Sequence, residues 1–193
     1  MSGPHPTLAT PRLSLRPWKD EDRAPFAAMN ADPPVMEFLP GSMTREQCDA
    51  MINRVRAHFD RHGFGFWAVE AIGVADCIGF VGLSVPRFES HFTPCVEVGW
   101  RLAREHWGKG YATEAARAAL DFGFKQIRLE EIVSFTVPDN IRSRRVMEKL
   151  GMTHNPADDF DHPAFPQGHR LCRHVLYRLR SSVGAGRHEQ DQH

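Results

Sequence analysis

The sequence predicts a single α/β domain in which helices flank a mixed β-sheet. Three observations lead to this prediction. Strand-like and helix-like segments alternate along the chain, no shift in composition divides it, and 193 residues are enough for one substantial core. Hydrophobic residues make up 41% and charged residues 25%, as in a typical globular protein. We therefore expect an N-terminal extension over residues 1–11, one domain over 12–180 and a disordered tail over 181–193.

The first half of the chain predicts a strand, two helices and three further strands. Leu13 and Leu15 alternate with polar residues, as in a half-buried strand. Thr44 and Gln47 have the spacing of a capping box, and Gly63 is placed to end the helix that follows. The predicted elements are strands at 12–18, 64–71, 77–85 and 95–102 and helices at 19–30 and 44–62. The prolines at 33 and 34 are expected to break the chain.

The second half predicts a helix over 110–127, a strand over 131–137 and a helix over 139–150. Residues 152–168 are rich in Asp, Pro and His and are expected to be mostly irregular. Residues 171–180 predict the last strand.

Composition excludes several classes of function. Lys and Arg number 24, as do Asp and Glu, so no overall field attracts nucleic acid or a membrane. No apolar run approaches the roughly 20 residues of a membrane span, and the N-terminus lacks a secretory pattern. The four cysteines are far apart, and the cluster His162, His169, Cys172 and His174 matches no ligand motif. We expect a cytoplasmic protein that binds no metal, nucleic acid or membrane.

Two glycines precede the helix at 110–127. A helix N-terminus has backbone amides without partners, and glycine removes the side chain that would keep an anion away from them. Gly108 and Gly110 would therefore admit a phosphate or diphosphate, with Lys109 at the rim. The alternative is a simple turn, because neither GxxxxGK[ST] nor GxGxxG is present.

A second stretch, VPDNIRSRRVMEKLGM, opens a helix directly after a strand. Asn140 stands at the start of that helix and Ser143 lies one turn inside it. Helix capping by Asp139 or Asn140 would explain the pattern equally well.

Together, EVGWRLAREHWGKGYATEAARAALDFGF and VPDNIRSRRVMEKLGM resemble the acyl-CoA motif and the second motif of the GNAT-superfamily N-acetyltransferases. The branch most similar contains the ribosomal-protein (Rim-type) enzymes, and the matching order runs from about Arg12 to Arg180. This resemblance implies a GNAT-like sheet splayed between residues 95–102 and 131–137. It also implies acetyl-CoA as co-substrate, direct attack by a primary amine in a ternary complex, and a possible homodimer. The amine would belong to a protein N-terminus or a small molecule.

The resemblance implies where acetyl-CoA lies. The pantetheine arm would pair with backbone near Leu102 and with Asn140, and the diphosphate would bind the amides from Trp107 to Ala112. The expected cofactor-binding residues are Leu102, Trp107, Gly108, Lys109, Gly110, Tyr111, Ala112, Asn140 and Ser143.

The catalytic assignments are Glu97 as base and Ser143 as acid. Many superfamily members carry a tyrosine seven positions after the motif asparagine, whereas this chain has Met147, which cannot donate a proton. Ser143 is the nearest hydroxyl, and water is the alternative acid. Glu97 is either the base or a structural carboxylate paired with Arg101. The weaker candidates are His91, His106 and His174 as bases and Cys95 as a nucleophile.

The acceptor is expected to contact aromatic side chains around the gap, namely Phe38, Trp67, Phe88 and Phe165. Three aspartates, Asp158, Asp159 and Asp161, are available to attract a cation, and Tyr177 is either a substrate contact or core. Two other readings remain open. Met147 suits a catalytically silent acyl-CoA sensor or scaffold, and the glycine turn alone would suit an unrelated phosphate-binding α/β protein.

Overall fold

A mixed β-sheet forms the centre of the protein, shown by a computed structural model that describes residues 5–181. The strands are β1 (Leu8–Ala9), β2 (Leu13–Arg16), β3 (Phe66–Ala71), β4 (Ala75–Ser84), β5 (Glu97–Leu102), β6 (Glu131–Thr136), β7 (Thr153–His154), β8 (Phe160–Asp161) and β9 (Arg173–Arg180). The helices are α1 (Arg23–Ala31), α2 (Pro33–Met36), α3 (Arg45–His62), α4 (Tyr111–Lys125) and α5 (Ile141–Lys149). Apart from Ser181, the predicted disordered tail lies outside the described residues.

The sheet has the strand order β1-β2-β3-β4-β5-β6-β9-β7, and β8 pairs with β9. All of these pairs are antiparallel except β5–β6, which is parallel and has a single registered pair, Glu97 with Val133. Immediately beyond it, the buried hydroxyl of Ser134 donates to the carbonyl of Val98 at 2.9 Å in place of a backbone amide. The two strands then separate, so the predicted splayed sheet is confirmed.

Helices cover both faces of this sheet. On one face, Phe26 of α1 packs against Phe80 of β4, with α3 beside α1. On the other face, α4 lies so close that a Cβ at Gly123 would stand 2.7 Å from Cδ1 of Ile132. The lack of a side chain at Gly123 therefore sets the spacing between α4 and the sheet.

The longest helix, α3, begins and ends as its sequence predicts. The Thr44 hydroxyl accepts from the Gln47 amide at 3.3 Å, and the Thr44 amide donates to the Gln47 side chain at 2.8 Å. Gly63 ends the helix with a φ of 74°, in the left-handed region that glycine adopts readily.

Two expectations about the fold need correction. The residues assigned to an N-terminal extension include Leu8–Ala9, which pair with β2 at the sheet edge. Pro33 and Pro34 begin a short helix, because proline is tolerated where helical amides need no carbonyl partner. Residues 152–168 are mostly irregular, as predicted, and the sequence did not reveal two strands of two residues each within them, both paired with β9. Strands this short carry no alternation that a sequence pattern can detect.

Candidate active site

The separating strands leave backbone groups of β5 facing the gap. Successive residues of a strand direct their amide and carbonyl to opposite edges. Val98 bonds toward β6 and Ala103 donates to Ile78 beside β4. By alternation, the backbone of Trp100 and Leu102 faces the gap. The Leu102 carbonyl already accepts from the indole N–H of Trp107 at 2.7 Å, so the amides of Trp100 and Leu102 are the donors left for a ligand.

The gap opens into a cleft of about 410 Å³. Of the nine residues predicted to bind the cofactor, the cleft is lined by Leu102, Trp107, Gly108, Gly110, Tyr111, Ala112, Asn140 and Ser143. The side chain of Lys109 is exposed at the rim and does not line the cleft.

The glycine turn presents its main chain to this cleft. Gly108 and Gly110 have φ values of 73° and 82°, and nothing lies within 4 Å of where a Cβ at Gly108 would stand. Tyr111, Ala112 and Thr113 form the first turn of α4, whose amides have no carbonyl within the helix. Among residues 5–181, no acceptor is found for the amides from 108 to 113. Such a turn can bind an anion.

The expected contribution of the Trp107 amide is wrong. That amide donates to the Arg104 carbonyl at 3.0 Å, within a short 3-10 turn at Arg104–His106 that the sequence did not reveal. Trp107 acts instead through its indole, which fixes the end of β5.

Arg12 braces the turn from outside. Its guanidinium donates to the Lys109 carbonyl at 3.0 Å and to Glu114 of α4 at 2.7 Å, and it lies 4.8 Å from the centre of the Tyr111 ring. Sequence reasoning missed this contact, because Arg12 and Glu114 are 102 positions apart.

Basic residues of α5 were also missed. Arg142, Arg145 and Lys149 line the cleft at helical spacing, and that spacing was readable as a basic stripe. Arg142 lies 4.7 Å from the Trp107 ring and 5.7 Å from the Phe38 ring, and it pairs with Glu37 at 2.6 Å. Arg142 thereby joins the two sides of the cleft mouth.

Asn140 caps α5, as the simpler interpretation held. Its side-chain carbonyl accepts from the Ser143 amide at 3.2 Å, and its amide group donates to Thr136 at 3.0 Å. The Ser143 hydroxyl lines the cleft and has no hydrogen-bond partner in the described part of the chain. Met147, one turn later, is 1% exposed and lines the same wall, so no proton donor stands at that position.

Glu97 lies where β5 and β6 begin to separate. No residue between 5 and 181 donates a hydrogen bond or forms an ion pair to its carboxylate, so the expected alternative pairing with Arg101 is wrong. Burial raises the pKa of Glu97 to about 7. A carboxylate with this pKa can accept a proton near neutral pH.

A second cavity of about 350 Å³ adjoins the cleft on the face covered by α1 and α3, and Glu97 and Phe135 line both spaces. Phe88 lines the second cavity and Phe38 lines the cleft, as expected of acceptor contacts. The assignment of Trp67 is wrong. It is fully buried on the opposite face, packed between Phe59 and Phe122.

Other expected acceptor contacts are engaged elsewhere. Phe165 stacks on His169 and lines neither cavity, and Tyr177 is buried and bonded to Glu148. The three aspartates expected to attract a cation have basic partners within the fold, because Asp158 bonds Arg178, Asp159 bonds His154 and Asp161 bonds Arg173.

The weaker catalytic candidates fare differently. His91 is exposed and lines neither cavity, while burial lowers the pKa of His174 to about 4. His106 is buried and lines the cleft, and its Nδ1 lacks a partner within the described chain. Burial raises the pKa of Cys95 to about 11, which disfavours a thiolate nucleophile.

These features fit an acyl-CoA. Unpartnered amides at 108–113 suit a diphosphate, and the gap-facing edge of β5 suits the amides of a pantetheine arm. Arg145 and Lys149 add positive charge beside the cleft.

Comparisons with known proteins agree with this site. The family described as "Acetyltransferase (GNAT) domain" matches residues 12–153. The uncharacterised protein YkkB of Bacillus subtilis is 34% identical over 146 residues, covering 75% of this chain and 84% of its own. The FsC-acetyl coenzyme A-N(2)-transacetylase of Aspergillus fumigatus is 33% identical over 156 residues, covering 77% of this chain and 66% of its own.

Solved structures share the fold. A GNAT-family acetyltransferase from Bacillus anthracis has a TM-score of 0.74 at 28% identity, covering 90% of this chain and 98% of its own. Ribosomal-protein acetyltransferases from Vibrio cholerae and Vibrio fischeri, and RimJ of Mycobacterium smegmatis in complex with CoA-disulfide, share the fold at 14% to 19% identity. No helix in the described residues has the length and apolar character to cross a bilayer. With the matched family, the cleft and its unpartnered amides in agreement, the chain belongs to the GNAT acetyltransferases and uses acetyl-CoA as its co-substrate.

Proposed function

We propose that the protein transfers an acetyl group from acetyl-CoA to a primary amine by direct attack in a ternary complex. One observation carries the proposal. Glu97 is an unpaired carboxylate on the boundary between the cofactor cleft and the second cavity, with a pKa raised by burial to about 7. An amine that enters from the second cavity meets Glu97 before it meets the thioester.

The proton of the incoming ammonium passes to Glu97, directly or through one water. The free amine then attacks the thioester carbonyl, so a C–N bond forms and the C–S bond breaks. The gap-facing amides of Trp100 and Leu102 are placed to donate to the developing oxyanion. Because CoA brings the activated acyl group, the protein mainly positions the reactants and excludes water.

The nitrogen releases its second proton as the amide forms, and the departing thiolate takes up a proton from Ser143 or from water, which the proton from the nitrogen then replaces. Ser143 supports this role because its amide is fixed by Asn140 while its hydroxyl remains free at the cleft wall. Met147 leaves the usual tyrosine position without a donor.

The acceptor is a small amine or a protein N-terminus. The FsC-acetyl coenzyme A-N(2)-transacetylase of Aspergillus fumigatus acts, by its name, on a nitrogen, which supports an amine as acceptor. A cytoplasmic location and a homodimer stay predictions.

The test is an acceptor screen that measures thiol release from acetyl-CoA with small amines, antibiotics and N-terminal peptides. We expect steady release with at least one amine and product containing an N-acetyl group by mass. A parallel thermal-shift measurement with CoA separates the readings. Stabilisation by CoA without turnover on any amine would instead support the silent sensor.

A further inference from the structure

One face of β5 carries a carboxylate, a glycine and a guanidinium at alternate positions along the strand. The side chains of Glu97 and Arg101 point to the face covered by α1 and α3, and Gly99 lies between them on that face, because alternate residues of a strand share a face. All three residues line the cleft. No side chain separates the two charged residues, because position 99 is glycine. A Cβ there would lie 3.1 Å from Cε1 of Phe66, so a larger residue would fit poorly.

Arg101 is a cation without a counter-charge. Its guanidinium donates to the side-chain carbonyl of Asn30, donates toward Met43 Sδ at 3.7 Å and lies 5.4 Å from the Phe80 ring. Asn30 is fully buried and is held by its own bond to the Phe26 carbonyl at 2.7 Å. No carboxylate among residues 5–181 pairs with Arg101.

This environment makes a bound anion favourable. Burial lowers the pKa of Arg101 to about 10, which still leaves the guanidinium charged at neutral pH. Arg101 is partly buried, and a charge removed from water without an opposite partner is costly, so an anion that reaches it recovers part of that cost. The neutral contacts from Asn30 and Phe80 orient the group but do not neutralise it.

The balance of charge around the two cavities also favours an acceptor that carries a negative charge. Glu97 is the single carboxylate among the residues that line either space. The lining cations are Arg54, Arg87, Arg101, Arg142, Arg145 and Lys149. Those on α5 lie beside the glycine turn, whereas Arg101 is on the face of β5 that α1 and α3 cover. A polycationic acceptor does not suit such a site.

We propose that the acceptor is an amine that also carries a carboxylate, with Arg101 binding the carboxylate while the amine faces Glu97. The inference rests on the proposed acetyl transfer and names the substrate class for it. Apolar walls from Val35, Phe38 and Phe135 favour an amino acid or short peptide with an apolar body.

The test uses pairs of acceptors that share an amine and differ in one charge. Phenylalanine is compared with phenylalaninamide, and 4-aminobutyrate with its amide, by kcat/KM for CoA release. We expect the wild type to prefer the carboxylates by about 10- to 100-fold, the worth of a charged hydrogen-bonded pair. Arg101→Met should remove that preference by lowering kcat/KM for the carboxylates only.

Two further variants serve as controls. Arg101→Lys keeps the charge but loses the guanidinium fork, so an intermediate preference is expected. Arg45→Met removes an exposed arginine of α3 that pairs with Asp49 and should leave the preference unchanged. Because Arg101 also contacts Asn30, the melting temperature and CoA affinity of each variant are measured alongside.

A measurement that needs no variant is inhibition of the wild type, where N-acetylphenylalanine should bind about 10-fold more tightly than its amide.

Three outcomes would contradict the role of Arg101, and they differ in what they imply for the proposed acetyl transfer. Equal use of carboxylates and amides by the wild type would overturn the role of Arg101 while leaving the acetyltransferase proposal intact. An equal loss for both members of a pair in a folded Arg101→Met protein would do the same. If no member of any pair releases CoA although CoA binds, the proposed function fails and this inference with it.

Discussion

The two sides of the cleft offer different chemical groups to a ligand, main-chain amides on one side and side chains on the other. On the cofactor side, the contacts available to a ligand are main-chain amides at 108–113, displayed by two glycines with positive φ. On the side that we propose for the acceptor they are side chains, chiefly Glu97, Arg101, Phe38 and Phe135, which line the cleft. A site made of main chain depends on backbone conformation, so many sequences with the right glycines can form it. A site made of side chains changes with every substitution, which lets one family share a donor and vary its acceptors.

The largest expected effect of a substitution is at Glu97, where the cleft offers side chains rather than main-chain amides. Glu97→Gln keeps the shape of the residue but cannot accept a proton, so kcat should fall by about 100- to 10,000-fold. In the wild type, kcat/KM should rise with pH through about 7 as Glu97 deprotonates, and the variant should lose that rise. Profiles of kcat and of kcat/KM against pH, measured over a range of acceptor concentrations, check both.

The same variant has a stability readout that separates loss of a base from loss of structure. Folding raises the pKa of Glu97 from its ordinary 4.5, so its contribution is fully present below about pH 4.5 and is lost as pH rises through about 7. Glu97→Gln should therefore melt above the wild type at pH 8 and close to it at pH 4. A variant that melts lower at pH 8 would mean that Glu97 is structural.

A smaller effect is expected on the main-chain half. Gly108→Glu forces a side chain into left-handed backbone and places negative charge at the anion site, so CoA affinity should fall by about 10- to 100-fold. Gly73→Glu is a matched control, because Gly73 has a φ of 71° and likewise nothing within 4 Å of its Cβ position. Calorimetry should show similar destabilisation for both variants but weakened CoA binding for Gly108→Glu alone. Equal CoA affinity in the two would exclude the turn as an anion site.

The smallest effect is expected at Ser143, which lines the cleft. Ser143→Ala leaves the backbone amide that bonds Asn140, so α5 should remain capped and CoA affinity should be unchanged. Turnover should fall by about 10-fold, near the lower limit for acid–base assistance, because water can replace the hydroxyl. Wild-type turnover from pH 6 to 9 would show that water already supplies the proton.

The contrast also explains what the sequence could predict. The glycine turn, the capping box at Thr44 and the cap at Asn140 are local patterns, so their spacing along the chain is their spacing in the fold. The amide of Trp107 was misjudged because the 3-10 turn before it leaves no pattern of its own.

Side chains on the acceptor half depend on strand faces and distant partners. Trp67 pairs with Val81 and faces α4, whereas its neighbour Phe66 lines the second cavity, so an error of one position exchanges core for pocket. The face of Arg101 followed from alternation, but its contact with Asn30 could not, since 71 positions separate them.

The contact between Arg12 and the glycine turn has a consequence for the order in which the protein folds. Contacts between residues 102 positions apart form only after the intervening chain has closed into a loop. The turn proposed to bind the diphosphate is therefore braced by Arg12 only after the start of β2 and α4 have come together. During synthesis, the ability to bind CoA should appear late, after the helix that carries Glu114 has left the ribosome and met the amino-terminal edge.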